Sequence, residues 1–344
     1  MTTVSLQSLI SSASSTIEPN FDLALNMAAE HRGATSPNPP VGCVLLNEGG
    51  QVLAAGAHES AGESHAEANA LAACRRAGAQ DRIHTVVVTL EPCNHWGRTP
   101  PCAEAILASS ARVVWIGAID PTGDVAGGGA ARLADAGLGV RVLDPDSALG
   151  VRCRDLIAPF AKHKLTNRPW VTVKQALDSA GGMIPPPGET TFTSPPALTY
   201  AHRLRRRADA ILTGSGTVLA DNPAFTVRHV PDHPGKRRML AVLDRRRRVS
   251  TAFLAAAGVR GLDAFRADDL EATLDELGRR GALEVLVEAG PSLTSAVLST
   301  ELWDEHVLIR QSPTAAGPET VEVRRRDPVR LERFTVEDPA CSLA

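Results

Sequence analysis

From Phe21 to about Leu143 the sequence alternates amphipathic helical runs with short β-rich runs. That alternation restricts the fold to a mainly parallel sheet covered by helices. FDLALNMAAEH reads as a helix, and VGCVLL and QVLAAGAH read as strands joined by the turn NEGG. HAEANALAACRRAG is helical, HTVVVTL a strand, and PPCAEAILASS a helix entered through Pro-Pro. RVVWIGAID, AARLADAG and VRVL continue as strand, helix and strand. A second α/β pattern starts at PWVTVKQAL: helix TYAHRLRRRA, strands DAILTG and MLAVLD, helix DLEATLDELGRRG, strand LEVLVEAG, helix SLTSAVLS and late strand WDEHVLIRQSP. A length of 344 residues suits two such domains. The expected division is an N-terminal extension over 1–20, a first domain over 21–145, a helical linker over 146–168 and a second domain over 169–344.

Composition narrows the function classes. Hydrophobic residues at 43% supply material for two cores, and a net charge of -3 gives no global basic field for nucleic acid or anionic lipid. Arginine clusters at Arg205–Arg207, Arg245–Arg248 and Arg324–Arg326 read as solvated surface. No apolar run approaches the ~20 residues of a membrane span. The start, MTTVSLQSLISSASSTIEPN, lacks the basic region and apolar core of an export signal. Six cysteines in so long a chain make no disulfide framework, so a reducing, cytoplasmic setting is expected and clustered cysteines become metal candidates.

One constellation carries that chemistry. His65-Ala66-Glu67 opens a helix, Pro92-Cys93 follows the next strand, and Cys102 begins the helix after it. An imidazole and two thiolates suit zinc, and helix N-termini favour the thiolate. Three protein ligands leave a fourth tetrahedral position for water, whose pKa zinc lowers toward ~7. Glu67, two residues from His65, is placed to carry protons rather than to ligate. This division of labour is that of the zinc deaminases, although here eight residues separate the two cysteines. His95 is the nearby alternative as a fourth, structural ligand, and Cys43 and Cys74 read as buried small residues.

The longer spacing carries a resemblance. SPNPPVGCV, HAEANAL, TLEPCNHWGRTPPCAEAI and DPTGDVAGGG together look like the deaminase half of the bifunctional riboflavin-biosynthesis deaminase/reductases. The resemblance implies a cytidine-deaminase-like α/β/α domain with one Zn²⁺ per chain. It also implies a diaminopyrimidinone substrate bearing a ribosylamine 5-phosphate. Asn38 would contact the pyrimidine ring, and His95, Arg98 and Thr99 would line the substrate pocket. Thr122 stands where an Asn is usual after Asp-Pro.

The second half has no G-x-G-x-x-G opening a helix, so the ordinary dinucleotide fingerprint is absent. VTVKQAL, AHRLRRRADAILTGSGTVLADNPAFTVR and VLVEAGPSLTSAVL resemble the reductase half of the same family. That resemblance implies a dihydrofolate-reductase-like α/β domain using NADPH. Ala176, Thr217, Asp221, Gly290, Pro291 and Ser292 would meet the cofactor. Arg205, Phe225, Arg228 and Glu288 would meet the substrate, the two arginines as a phosphate clamp. The sequence departs from the family where Ala180 and Gly182 replace an acidic and a basic residue, where Phe192 replaces a tryptophan, and at the C-terminus, which lacks a glycine-rich tail. These departures leave a second reading: a deaminase of a related flavin-analogue or azapteridine pathway with a degenerate reductase domain. A nucleic-acid deaminase is disfavoured by the net charge and by an aromatic content of 3%. The expected partner is thus a small phosphorylated pyrimidine, with no nucleic acid or membrane, and by resemblance the chain is a homo-oligomer.

Overall fold

The structure, a computed structural model, describes residues 10–11, 17–96, 100–122, 128–186, 188, 191–312 and 317–338. The chain divides into two compact units, Met1–Leu165 and Thr166–Ala344.

In the first unit the strands are β1 (Ile10–Ser11), β2 (Gly42–Leu46), β3 (Val52–Ala57), β4 (Thr85–Val88), β5 (Val113–Ile116) and β6 (Gly139–Leu143). They form one sheet in the order β1-β6-β5-β4-β2-β3, with β2 antiparallel to both neighbours and the rest parallel. The helices are α1 (Glu18–Ala29), α2 (Ala66–Arg76), α3 (Cys102–Leu107), α4 (Gly129–Asp135) and α5 (Ala148–Thr166). Successive strand residues face opposite sides of a sheet. Cys43, Leu45, Val86 and Val88 therefore pack with residues of α2, α3 and α4, while Val44, Leu46 and Val87 pack with α1 and α5.

The ends of this unit differ from expectation. Ile10–Ser11 pairs in parallel with Val142–Leu143, and Ile17 and Asn20 are buried, so residues 10–11 and 17–20 of the expected extension contribute to the domain. The supposed linker 146–168 is mostly α5, and its Leu149, Cys153, Leu156 and Ile157 lie in the first unit's core. Their spacing puts them on one helical face, and that face needs a sheet to cover it.

In the second unit the strands are β7 (Trp170–Leu177), β8 (Ala210–Gly214), β9 (Arg238–Leu243), β10 (Leu262–Ala267), β11 (Glu284–Glu288), β12 (Glu305–Arg310), β13 (Thr320–Arg325) and β14 (Arg330–Thr335). Their order is β10-β9-β8-β11-β7-β12-β13-β14, parallel through β12 and antiparallel beyond it. The helices are α6 (Pro195–Arg207), α7 (Ser215–Asp221), α8 (Thr251–Val259), α9 (Leu270–Arg279) and α10 (Pro291–Leu298). Ser194 and Asp269 cap α6 and α9 through their side-chain oxygens. No helix among the described residues is long and apolar enough to cross a membrane.

Arg205–Arg207 is not the solvated cluster its composition suggests. Arg207 is buried between Glu284 at 2.7 Å and Glu305 at 2.5 Å, and Arg205 pairs with Glu288. Arg245–Arg248 does lie on the surface.

Candidate active sites

The ends of three elements build the first site. His65 is the N-cap of α2, Glu67 lies in its first turn, Cys93 follows β4, and Cys102 is the first residue of α3. His65 Nδ1 lies 3.6 Å from Cys93 Sγ and 3.4 Å from Cys102 Sγ. Tetrahedral zinc with ordinary Zn–N and Zn–S bonds sets such an N···S edge at about 3.6 Å. The three donor atoms all lie within 4.8 Å of one another, and among the described residues no other group of His, Cys, Asp or Glu gathers this way. His95 is therefore not drawn in as a fourth ligand.

The protonation chemistry suits a cation. Hydrogen bonds from the Cys102 thiol, and further from His65 and the Cys102 backbone N–H, hold Cys93 down at about 4. The hydrogen bond to Cys93, reinforced by burial, pushes Cys102 up. A second thiolate beside the first thus needs a positive ion to exist, which is what a bound metal supplies.

Glu67 is 4% exposed, and burial raises its pKa. It shares a pocket of about 480 Å³ with His65, Cys93, Asn38, His58, Glu91, His95, Asp120, Phe160 and Lys164. That volume is in the range of small-molecule sites. Asn38 Nδ2 lies 3.4 Å from His58 Nε2, and His58 Nδ1 lies 3.0 Å from the Ser64 carbonyl. Burial lowers the His58 pKa, so the ring is neutral near pH 7. Asp120 Oδ1 accepts both the Thr122 N–H at 2.9 Å and its hydroxyl at 2.5 Å. Arg98 and Thr99 lie outside the described residues. Cys43 and Cys74 are fully buried, as expected.

Sequence reasoning missed Glu91, Phe160 and Lys164. The Glu91 carboxylate accepts the backbone N–H groups of Asp120, Gly128 and Ala130 at 3.2, 3.0 and 3.0 Å. It thereby ties the start of α4 to the loop carrying Cys93. Its place two residues before that cysteine was the available signal. Phe160 and Lys164 sit on α5, in the segment taken for a linker.

In the second unit, adjacent strands β8 and β11 each run into a helix at their C-terminal ends. The two turns touch: the Gly290 N–H donates to Thr217 Oγ1 at 2.9 Å. A Cβ on Gly214 would come within 3.2 Å of the Leu293 side chain, so the bare backbone permits this close approach. Pro291, Ser292 and Asp221 are exposed, and Ala176 lies half-buried on β7.

Glu288, at the end of β11, is 6% exposed. Arg205 grips it through a fork, Nε to Oε2 at 2.9 Å and Nη2 to Oε1 at 3.0 Å, and Lys174 Nζ stands 3.8 Å from Oε1. Burial alone would raise its pKa, but Arg205 and Lys174 outweigh that and hold it at about 2. Two expectations change here. The Arg205 fork is committed to Glu288, and its Nη1 donates to the Thr226 carbonyl at 2.6 Å, so it fixes Glu288 rather than offering a fork to phosphate. Phe225 is 3% exposed with φ 55°, and its side chain packs among Ile211, Val218 and Leu240 rather than facing a ligand. Arg228 is exposed.

At the positions of departure, Asp178 Oδ1 accepts the N–H groups of Ala180 at 2.9 Å and Gly182 at 2.7 Å. A Cβ at Gly182 would come within 2.7 Å of that carboxylate. Asp178 thus closes this turn, and a side chain at 182 would have to displace its carboxylate.

The first unit thus has the sheet, helix order and His/Cys/Cys cluster of a zinc-binding deaminase, and the second has the architecture of a reductase domain. Residues 14–118 match the cytidine and deoxycytidylate deaminase zinc-binding region, and residues 169–321 match the RibD C-terminal domain. The riboflavin biosynthesis protein RibD of Corynebacterium ammoniagenes is 36% identical over 302 residues, covering 88% of this chain and 87% of that protein. The Escherichia coli protein of the same name is 33% identical over 318 residues, 83% of this chain and 84% of its own length. Acinetobacter baumannii RibD superposes with a TM-score of 0.72 at 32% identity, covering 88% of each chain. A Thermotoga maritima diaminohydroxyphosphoribosylaminopyrimidine deaminase/5-amino-6-(5-phosphoribosylamino)uracil reductase gives 0.73 at 28%, again over 88% of each. The chain belongs to the RibD family of bifunctional riboflavin-biosynthesis deaminase/reductases. The comparisons give no support to a flavin-analogue or azapteridine pathway with a degenerate reductase.

Proposed function

We propose that the chain hydrolyses the 2-amino group from 2,5-diamino-6-(5-phosphoribosylamino)pyrimidin-4(3H)-one and then reduces the ribosyl group of the product to ribityl with NADPH. The observation that carries this reading is the convergence of His65, Cys93, Cys102 and buried Glu67 in one pocket. Zinc held by the three donors supplies a Lewis acid that makes water nucleophilic near neutral pH. Glu67 takes the proton from the attacking water and returns protons to the ring nitrogen and the leaving amine. Water is consumed and ammonia released. Asn38 orients the pyrimidine, backed by neutral His58, and His95 lines the approach.

In the second unit NADPH supplies the hydride. Thr217 and the turn Gly290-Pro291-Ser292 meet its phosphates at the start of α10, with Ala176 and Asp221 alongside. Arg228 receives the substrate phosphate, and Arg205 fixes Glu288 toward the sugar. The same reading carries a homo-oligomer acting on small molecules in the cytoplasm. The test mixes protein and the phosphoribosylamino-pyrimidinone with and without NADPH, following ammonia and NADPH absorbance separately. Ammonia release in both arms and NADPH oxidation only after deamination is the expected result; no ammonia in either arm contradicts the reading.

A further inference from the structure

The deaminase pocket has a wall that lies past residue 118, where the match to the deaminase family ends. Phe160 and Lys164 on α5 form it. Four residues apart, they share a helix face, and Lys164 Nζ stands 5.5 Å from the centroid of the Phe160 ring. That cation–π contact holds the ammonium beside the pocket. Lys164 is exposed, and no carboxylate among the described residues pairs with it. The other polar groups around the pocket have partners of their own: Glu91 takes backbone N–H groups, Asp120 takes Thr122, and His58 lies between Asn38 and the Ser64 carbonyl. Lys164 is the one lysine or arginine lining the pocket among the described residues.

We infer that Lys164 binds the 5-phosphate of the pyrimidine substrate during deamination, which makes α5 the element that selects phosphorylated substrate in the first reaction. The inference rests on the substrate reading above. An ammonium on a flexible stem is a compact point charge that meets phosphate in a charge-assisted hydrogen bond. The phosphate lies on the ribosyl arm, away from the carbon under attack. Its contact is therefore made equally in ground and transition states and appears in KM rather than in kcat.

The test measures ammonia release without NADPH for wild type, Lys164→Gln and Lys164→Arg, each with the phosphorylated and the dephosphorylated substrate. Wild type should prefer the phosphorylated form by about 10- to 100-fold in kcat/KM. Lys164→Gln should lose that preference through KM, with kcat and zinc content within about twofold of wild type, and Lys164→Arg should recover most of it. The dephosphorylated substrate should be turned over equally by all three. A wild type with no preference overturns the substrate reading and this inference together. A wild-type preference that survives in Lys164→Gln overturns the inference alone. Parallel loss of zinc and of activity on both substrates in Lys164→Gln makes the residue structural and also overturns it.

Discussion

Glu67 and the two cysteines of the cluster differ in how their protons are held. Glu67 is 4% exposed and raised by that burial, which suits a group that must hold and release a proton near neutral pH. Replacing it with Gln keeps the shape and removes the shuttle. Glu67→Gln should retain zinc but lose at least ~10² in deamination kcat; activity within about threefold of wild type would remove Glu67 from the mechanism. The thiols behave oppositely, Cys93 held down and Cys102 held up by the hydrogen bond between them. Purified protein should carry one zinc per chain. A strong chelator should abolish ammonia release and leave NADPH oxidation on already deaminated substrate unchanged. These four residues were legible because His-Ala-Glu and two cysteines each open or precede a recognisable helix. Glu91 was not, because its partners are backbone N–H groups about 30 to 40 positions away, which no side-chain pattern marks.

The elements hold the ligands through close backbone approaches. A Cβ on Gly129, at the start of α4, would come within 1.9 Å of the Pro92 carbonyl oxygen, next to Cys93. Gly129→Ala should push that loop away, giving substoichiometric zinc and little deamination with normal NADPH oxidation; full zinc occupancy would show that the loop can yield. The boundary of the first unit is also an element-scale matter. The apolar stripe on α5, Leu149, Cys153, Leu156 and Ile157, was present in the sequence. Helical period alone does not say which core receives a stripe, so in the sequence the segment reads as a connector. Its three large aliphatic side chains contribute roughly 5–9 kcal/mol at ~1.5–3 each, comparable with the stability of a whole domain. A chain ending at Thr166 should fold and bind zinc, whereas one ending at Pro145 should not; a soluble, zinc-loaded 1–145 fragment would show that α5 is dispensable.

At the scale of the whole molecule, each unit has its own sheet and cores, so heat should unfold the chain in two transitions. The strand-to-helix turns at Gly214 and Gly290 in the second unit follow from apolar runs that end in glycine. Strand β14 is not legible because it has no buried residue and lacks alternating hydrophobicity, and β13 offers only the short alternation of Val321 and Val323. Acid should separate the two transitions. His202 is 3% exposed, and burial followed by the Arg205 charge holds it at about 4 against an ordinary 6.5. Its Nδ1 accepts the Arg228 N–H at 2.9 Å, a bond the protonated ring cannot keep. The folded state therefore binds fewer protons than the unfolded one between these values. His202 contributes fully above pH 6.5, and its contribution is lost as pH falls through about 4. Glu288, held at about 2 against 4.5, extends the loss to lower pH, since its contribution is present above 4.5 and disappears toward 2. Between about pH 7.5 and pH 5 the histidine alone accounts for roughly 2 kcal/mol, or about 4–8 °C in the midpoint of a unit of this size. The second-unit transition, identified as the one that a chelator does not lower, should fall by that amount in calorimetry. In His202→Gln the fall should largely vanish. A second-unit midpoint that stays level from pH 7.5 to pH 5 in wild type would mean that His202 is protonated without cost in the folded state.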